Sequence, residues 1–146
     1  MSVVSAAVPM QMLKALFAAA AAARANAYAP YSGFAVGAAL RTPHGRIYAA
    51  ANVENAAFPV GTCAETGAIA AMVAAGDREI SEILVLASSA DPIMPCGACR
   101  QRIFEFATPA TIVHAAGLEG PRSSLALADL LPRAFGPHNL RAEPSS

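Results

Sequence analysis

The chain has 146 residues, of which 55% are hydrophobic and 14% charged, and its basic and acidic side chains balance at 10 each. This length suits one domain, residues 1–146, that buries its own core without disulfides. Without a basic excess to neutralise phosphates, we expect neither nucleic acid nor a membrane surface as a partner. The apolar content is more than one small monomer readily hides, which favours a homo-oligomer.

A first helix is predicted from Leu13 to about Ala27, because Leu16, Phe17 and Ala20 continue from Leu13 at helical spacing. The stretch "KALFAAAAAARANA" has a charge, a short apolar run and an ending that resemble a secretory signal. The apolar residues before it do not fit such a signal, so we interpret it as an amphipathic helix. No segment is long enough and apolar enough to span a bilayer.

Strands and helices then alternate along the chain. The predicted order is a β-hairpin over residues 34–53, a helix over 62–76, a strand over 82–88, a helix over 96–107, a strand over 110–116 and a helix over 124–135. Thr62 is the predicted N-cap of the second helix and Gly76 its C-terminal end. Residues 137–146 are predicted to be a mobile tail. This pattern predicts an α/β layered domain with a mixed sheet.

The three cysteines suggest a metal site. Cys63 opens the second predicted helix, while Cys96 and Cys99 open the third. Three cysteines cannot all pair, so we expect a reducing compartment and a cytoplasmic location. The positive end of each helix dipole is expected to lower the thiol pKa and favour the thiolate, which is the form that binds metal.

The cysteines also allow two other interpretations. A thioredoxin-like dithiol made of Cys96 and Cys99 would have no use for Cys63. A closed structural zinc site needs four protein ligands, but His44 lies in a predicted turn, His138 in the tail and His114 in a strand where burial explains it. Three ligands with one open position are typical of catalytic zinc.

Glu65 also has two interpretations. With Thr62 it matches a capping box, in which its carboxylate accepts from the backbone N–H of Thr62. In the same helical turn as a metal ligand, it is also placed to move a proton of a water molecule at the open position.

The stretch "CAE" followed by "PCGACRQ" resembles the zinc-dependent cytidine deaminase family. The blocks "PYSGFAVGAAL", "NVENAAFPVG" and "LLPRAFGP" are similar to other family blocks, in the same order, so the resemblance covers most of the chain. It implies a three-layer α/β/α sandwich with a mixed central sheet of about five strands. It also implies one Zn²⁺ per subunit, held by Cys63, Cys96 and Cys99 with water as fourth ligand, and Glu65 as the catalytic proton shuttle.

The same resemblance implies the activity. Cytidine and 2′-deoxycytidine would be hydrolysed to uridine and 2′-deoxyuridine with release of ammonia, as a step of pyrimidine salvage. Phe34 would lie against the pyrimidine, Asn52 and Glu54 would bind the ribose, and Ala64 would belong to the same substrate site. Phe135 would reach the active site of a neighbouring subunit in a homotetramer. The alternative is a deaminase of a cytosine-nucleoside antibiotic of the blasticidin type.

The chain departs from the family pattern at Thr66, where many members with three cysteines carry Arg. Three thiolates and one Zn²⁺ leave a net negative charge, which a nearby guanidinium would draw off the sulfurs. We expect the helix dipoles and Arg100 to take this role. Phe58 is a milder difference, since some relatives have Tyr there, and it bears on substrate preference.

Overall fold

The computed structural model describes residues 10–141. Its helices are α1 (Met10–Arg24), α2 (Ala64–Ala74), α3 (Gly97–Glu105) and α4 (Leu127–Leu130), and its strands are β1 (Val36–Arg41), β2 (Ile47–Ala51), β3 (Ile80–Ala87), β4 (Ala107–Gly117) and β5 (Gly120–Ala126). Short 3-10 turns cover Phe58–Val60 and Pro137–Asn139. Among these residues, no helix has both the length and the apolar character needed to cross a membrane.

The five strands form one mixed sheet in the order β2-β1-β3-β4-β5. The pair β3 and β4 is parallel, whereas the other neighbours are antiparallel. Parallel strands need a crossover connection, and α3 supplies it between β3 and β4. The predicted mixed sheet that opens with an antiparallel hairpin is therefore confirmed.

Helices cover both faces of the sheet. On one face, Leu16 and Ala20 of α1 pack against Leu84 and Leu86 of β3. On the other, the side chains of α2, α3 and α4 join Leu40, Ile83 and Val113 of the sheet. Successive strand residues point to opposite faces of the sheet. Because helices cover both faces, apolar residues run through β3 without alternating with polar ones. The three-layer α/β/α sandwich is confirmed.

A buried polar row crosses the α1 face of the sheet. Arg41 pairs with Glu82, whose second oxygen lies 2.9 Å from Nε2 of His114, and Nδ1 of His114 lies 2.7 Å from the Ser124 hydroxyl. The charged groups satisfy each other, as buried charges must. Both ring nitrogens of His114 are engaged, which confirms that burial rather than metal binding explains this residue.

The region after β4 differs from the prediction. A helix was expected over residues 124–135, but Ser124 and Leu125 belong to β5 and lie opposite His114 and Val113, and only Leu127–Leu130 is helical. The pattern of this stretch fits either structure, and the free edge of β4 decides in favour of the strand. Pro132 follows closely and limits the helix. Of the predicted tail, residues 137–139 form the 3-10 turn and residues 142–146 lie outside the described part.

The boundaries of the other elements shift by a few residues, as helix and strand ends commonly do. Helix α1 begins and ends three residues earlier than predicted, and Gly76, with a φ of 97°, follows the end of α2 as expected.

Gly37 allows α1 to lie directly on β1. A Cβ atom at this position would be 2.1 Å from the carbonyl oxygen of Ala20 and 2.8 Å from Cβ of Arg24. The first atom is part of the helix backbone and the second is bonded directly to it, so neither can rotate out of the way. A side chain at position 37 would therefore push α1 off the sheet.

We therefore predict that Gly37→Ala destabilises the fold by about 3 kcal/mol, which lowers the thermal midpoint by roughly 10 °C. Gly97→Ala is the matched control, because a Cβ atom there meets no atom within 4 Å in the described part of the chain. Thermal unfolding followed by circular dichroism, with zinc in excess, compares the two. A wild-type midpoint for Gly37→Ala would contradict the close contact.

Candidate active site

The N-termini of α2 and α3 meet at one edge of the sheet and bring the three cysteines together. Cys63 is the N-cap of α2, Cys96 is the N-cap of α3, and Cys99 lies in the first turn of α3. Their sulfur atoms all lie within 4.8 Å of one another, and none is in a disulfide. Thiolates bound to one tetrahedral zinc ion lie about 4 Å apart, so the three sulfurs fit a single ion.

The structure also bears on the number of protein ligands. Within residues 10–141, the group that could hold a metal consists of these three cysteines. His44 and His138 are exposed and His114 is bound elsewhere. The arrangement leaves one coordination position open, as in catalytic zinc sites.

The prediction that all three thiols have a lowered pKa is correct only for Cys96. The backbone N–H of Cys99 stabilises the Cys96 thiolate and lowers the pKa of that thiol. Burial raises the pKa of Cys63 and of Cys99, and the nearby carboxylate of Glu65 raises the pKa of Cys99 further. Burial and a like charge outweigh the helix dipole, so these thiols need a metal to be held as thiolates.

Glu65 does not act in the predicted capping box. The N-cap of α2 is Cys63 rather than Thr62, because the carbonyl of Cys63 accepts the first helical hydrogen bond, from the N–H of Thr66 at 3.1 Å. The N–H of Thr62 instead donates to the carbonyl of Val53 at 2.8 Å, in a β-bridge. The carboxylate of Glu65 is therefore free of the cap. Glu65 is only 4% exposed and lines a cleft that opens at the cysteines.

A cleft of about 620 Å³ opens at the cysteines. It lies between the N-terminus of α2, the loop before β1, the chain after β2 and the loop before α3. Most of the residues predicted to bind substrate or metal line it: Phe34, Asn52, Glu54, Cys63, Ala64, Glu65 and Cys96. Cys99 lies behind the cleft wall and is buried.

Glu54 offers part of its carboxylate to the cleft. Its Oε1 accepts hydrogen bonds from the backbone N–H groups of Tyr31 and Ser32, at 2.9 and 3.1 Å. The Ser32 hydroxyl, followed by these N–H groups, lowers the pKa of Glu54, so the side chain stays ionised. The second oxygen is not engaged in these bonds.

Asn52 has a structural function that the sequence did not indicate. Its Oδ1 accepts from the N–H of Val36 at 2.9 Å, and its Nδ2 donates to the carbonyl of Phe34 at 2.8 Å. This clamp fixes the backbone on both sides of residue 35. The orientation of the Phe34 ring in the cleft therefore depends on Asn52.

The residues of the cleft that the sequence did not indicate include Tyr31, Ile93 and Met94. Tyr31 stacks edge-on against Phe58, with ring centroids 5.6 Å apart, and the pair forms one rim. The residues preceding α3 that line the opposite side are Ile93 and Met94. These residues carry no signature of their own, because apolar loop residues before a helix are common.

Phe135 is the one predicted substrate residue that lies away from the cleft. It is 61% exposed, and its carbonyl accepts a hydrogen bond from Nε2 of Gln101 at 2.7 Å. Within one subunit it lines a separate, smaller depression next to α3.

The contacts of Arg100 differ from those expected. Its Nε donates to the carbonyl of Pro95 at 2.7 Å and its Nη1 to that of Leu130 at 3.0 Å. Arg100 thus holds the turn that leads into Cys96 instead of facing a sulfur atom. The guanidinium that does approach a sulfur is that of Arg102, whose Nη1 is 4.0 Å from Sγ of Cys99.

Comparison with known proteins agrees with this geometry. Residues 10–115 match the family model of the cytidine and deoxycytidylate deaminase zinc-binding region. A cytidine deaminase of Sporosarcina psychrophila is 42% identical over 118 residues, which are 81% of this chain and 87% of that protein. A cytidine deaminase of Mycobacterium tuberculosis is 36% identical over 121 residues, or 83% and 87% of the two chains.

Solved structures give the same result. The crystal structure of cytidine deaminase from Burkholderia pseudomallei matches with a TM-score of 0.79 and 44% identity, covering 84% of this chain and 98% of that one. The enzyme from Mycobacterium tuberculosis matches with a TM-score of 0.72 and 36% identity, covering 88% and 98%. The alternative of an antibiotic deaminase finds no support among these relatives.

The sulfur triad and these matches lead to one conclusion about cofactor and chemistry. The protein takes one zinc ion per subunit at its cysteine group and is a zinc-dependent hydrolytic deaminase. The chain belongs to the family of the cytidine and deoxycytidylate deaminase zinc-binding region.

Proposed function

We propose that the protein hydrolyses cytidine and 2′-deoxycytidine to uridine and 2′-deoxyuridine, with release of ammonia. The observation that carries this proposal is the position of Glu65, a buried carboxylate with no helix cap to serve, beside three cysteines at a cleft of nucleoside size. The relatives described above are cytidine deaminases, which supports the choice of substrate.

The chemistry requires one water molecule to attack C4 of the cytosine ring and one proton to reach ring N3. Zinc, when bound, supplies the positive charge that makes this water more acidic. Glu65 accepts one proton of the attacking water and delivers it to N3. It then takes the remaining hydroxyl proton from the C4 adduct and passes it to the amino group, so that the C4–N bond breaks, ammonia leaves and the C4 carbonyl forms. Its burial keeps bulk water from competing for these protons.

The protein holds the nucleoside through contacts to its base and to its sugar. Phe34 is 40% exposed at the cleft and is placed to lie against the pyrimidine, with Ala64 on the helix side. The free oxygen of Glu54 accepts from the 3′-hydroxyl of the ribose. Asn52 acts mainly through its clamp on the loop of Phe34, with its remaining N–H directed to the sugar.

We further propose a homotetramer in which Phe135 completes the cleft of a neighbouring subunit. Within one chain Phe135 is exposed and lies away from the cleft, so it is available to a partner. Other large apolar side chains around the cleft are exposed as well: Tyr28, Tyr31, Val53, Phe58 and Val60. A surface of this kind is typical of an interface.

This activity belongs to pyrimidine salvage, and we place the protein in the cytoplasm. Three cysteines with free sulfurs, which must stay reduced to hold a metal, suit a reducing compartment.

We predict that Glu65→Gln lowers kcat for cytidine by about 10² to 10⁴-fold while zinc content stays at one ion per subunit. Glutamine keeps the size of the side chain but does not accept a proton. Loss of the cytosine absorbance measures turnover, and atomic absorption measures zinc. Glu79→Gln, at an exposed position outside the cleft, is the matched control. Unimpaired turnover by Glu65→Gln would refute the shuttle, and a wild-type protein inactive on both nucleosides would refute the substrate.

We predict that Glu54→Gln raises KM for cytidine by about 10 to 100-fold, because an ionised acceptor for the 3′-hydroxyl is lost. The neutral amide oxygen still accepts from Tyr31 and Ser32, so the loop is preserved. Kinetics with cytidine and 3′-deoxycytidine identify the contact: the variant should discriminate much less between them than the wild type does. A wild type that processes both equally well would exclude a 3′-hydroxyl contact.

We predict that Phe135 acts on the cleft of another subunit. Phe135→Ala and Glu65→Gln should each show low activity alone, and hybrids made by co-expression with different tags should regain part of it. In a hybrid, some clefts have an intact Glu65 from one subunit and an intact Phe135 from its neighbour. Hybrids of Glu65→Gln with the double variant are the control. If hybrid activity never exceeds the mean of the parents, Phe135 does not act between subunits.

A further inference from the structure

The zinc site carries more negative than positive charge. Three thiolates and one Zn²⁺ carry a net negative charge, and the carboxylate of Glu65 lies next to Cys99 and adds to it. Cys99 is fully buried, so water contributes little to stabilising its sulfur. A buried negative charge of this kind requires a compensating cation or hydrogen bonds.

The first turn of α2 does not supply that cation. Thr66 follows Glu65 there, and its buried hydroxyl oxygen has no hydrogen-bond partner among residues 10–141. A hydroxyl without a partner shows that Thr66 does not donate to a sulfur in this arrangement. Arg100, the other candidate, is committed to the carbonyls of Pro95 and Leu130.

Arg102 is differently placed. It lies three residues after Cys99 on α3, and its Nη1 is 4.0 Å from Sγ of Cys99. Long side chains on helices lean toward the helix N-terminus, which directs Arg102 back over the first turn and the cysteine. The guanidinium keeps its positive charge at any pH at which the protein is folded.

We propose that Arg102 is a positioning residue of the zinc centre. Its guanidinium balances the Cys99 thiolate from α3, because Thr66 leaves the first turn of α2 without a cation. This inference rests on the zinc site and is independent of the choice of nucleoside. The positive charge draws electron density from the sulfur, stabilises the thiolate and strengthens zinc binding.

The expected loss of zinc affinity depends on how far the Arg102 guanidinium is exposed to solvent. Loss of a group that hydrogen-bonds to a metal ligand commonly weakens metal binding by about 10 to 100-fold. Arg102 is exposed on one side, so solvent screens part of its charge. We therefore expect a value of about tenfold.

The test compares Arg102→Met, Arg102→Lys and Arg78→Met. Methionine keeps most of the side-chain length without the charge, and lysine keeps the charge. Arg78 is an exposed arginine that lies after the C-terminal end of α2, away from the cysteines. Zinc dissociation constants are measured by competition with a chromophoric chelator, with circular dichroism as the folding check. We expect Arg102→Met to bind zinc about tenfold more weakly, and the other two to stay within about threefold of the wild type.

Substitution of zinc by Co²⁺ adds a readout that a merely structural effect would not move. Without the guanidinium, the sulfur of Cys99 is richer in electrons, so the sulfur-to-cobalt charge-transfer band should shift to lower energy in Arg102→Met but not in Arg102→Lys. Unchanged zinc affinity and an unchanged band in Arg102→Met would overturn the proposal. So would equal losses in the methionine and lysine variants, because charge would then not be the cause. Neither readout uses cytidine, so an error in the proposed substrate leaves this test intact.

Discussion

Three cysteine sulfurs within 4.8 Å of one another are the constraint on which the site depends, and the cysteines range from exposed Cys96 to buried Cys99. As thiolates they repel one another, and burial together with Glu65 raises the pKa of Cys99. The fold nevertheless places these groups next to one another, because α2 and α3 both begin beside the same ends of the strands. Metal binding relieves the repulsion, so zinc is expected to stabilise this edge of the protein as well as to serve the reaction.

The rest of the architecture holds the two helix ends in place. The crossover from β3 through α3 to β4 fixes where Cys96 and Cys99 appear, and Arg100 ties the turn before them to the end of α4. On the opposite side of the cleft, Asn52 clamps the segment at Phe34, and Glu54 gathers the N–H groups of Tyr31 and Ser32. Rigid backbone on both sides lets a small domain present a few polar atoms at fixed positions.

Sequence patterns predicted the parts of the site that are local. Cys63, Cys96 and Cys99 are recognisable because each marks a helix start, and Glu65 because it shares a turn with Cys63. The parts that depend on neighbours could not be predicted in this way. Thr62 pairs with Val53 in a β-bridge, so the N-cap position of α2 falls to Cys63. Residues 124–126 form a strand because they pair with the otherwise free edge of β4. Likewise, only packing shows that Arg100 faces carbonyl groups and that Arg102 approaches a sulfur.

Three sulfurs hold the zinc ion and leave one coordination position open for the reacting water. X-ray absorption spectroscopy at the zinc edge of the purified protein measures this most directly. We expect three sulfur ligands and one lighter ligand without the outer-shell signal of an imidazole ring. Four protein ligands, whether a fourth sulfur or a histidine nitrogen, would contradict it, because the ion would then be structural and the reaction would have no site.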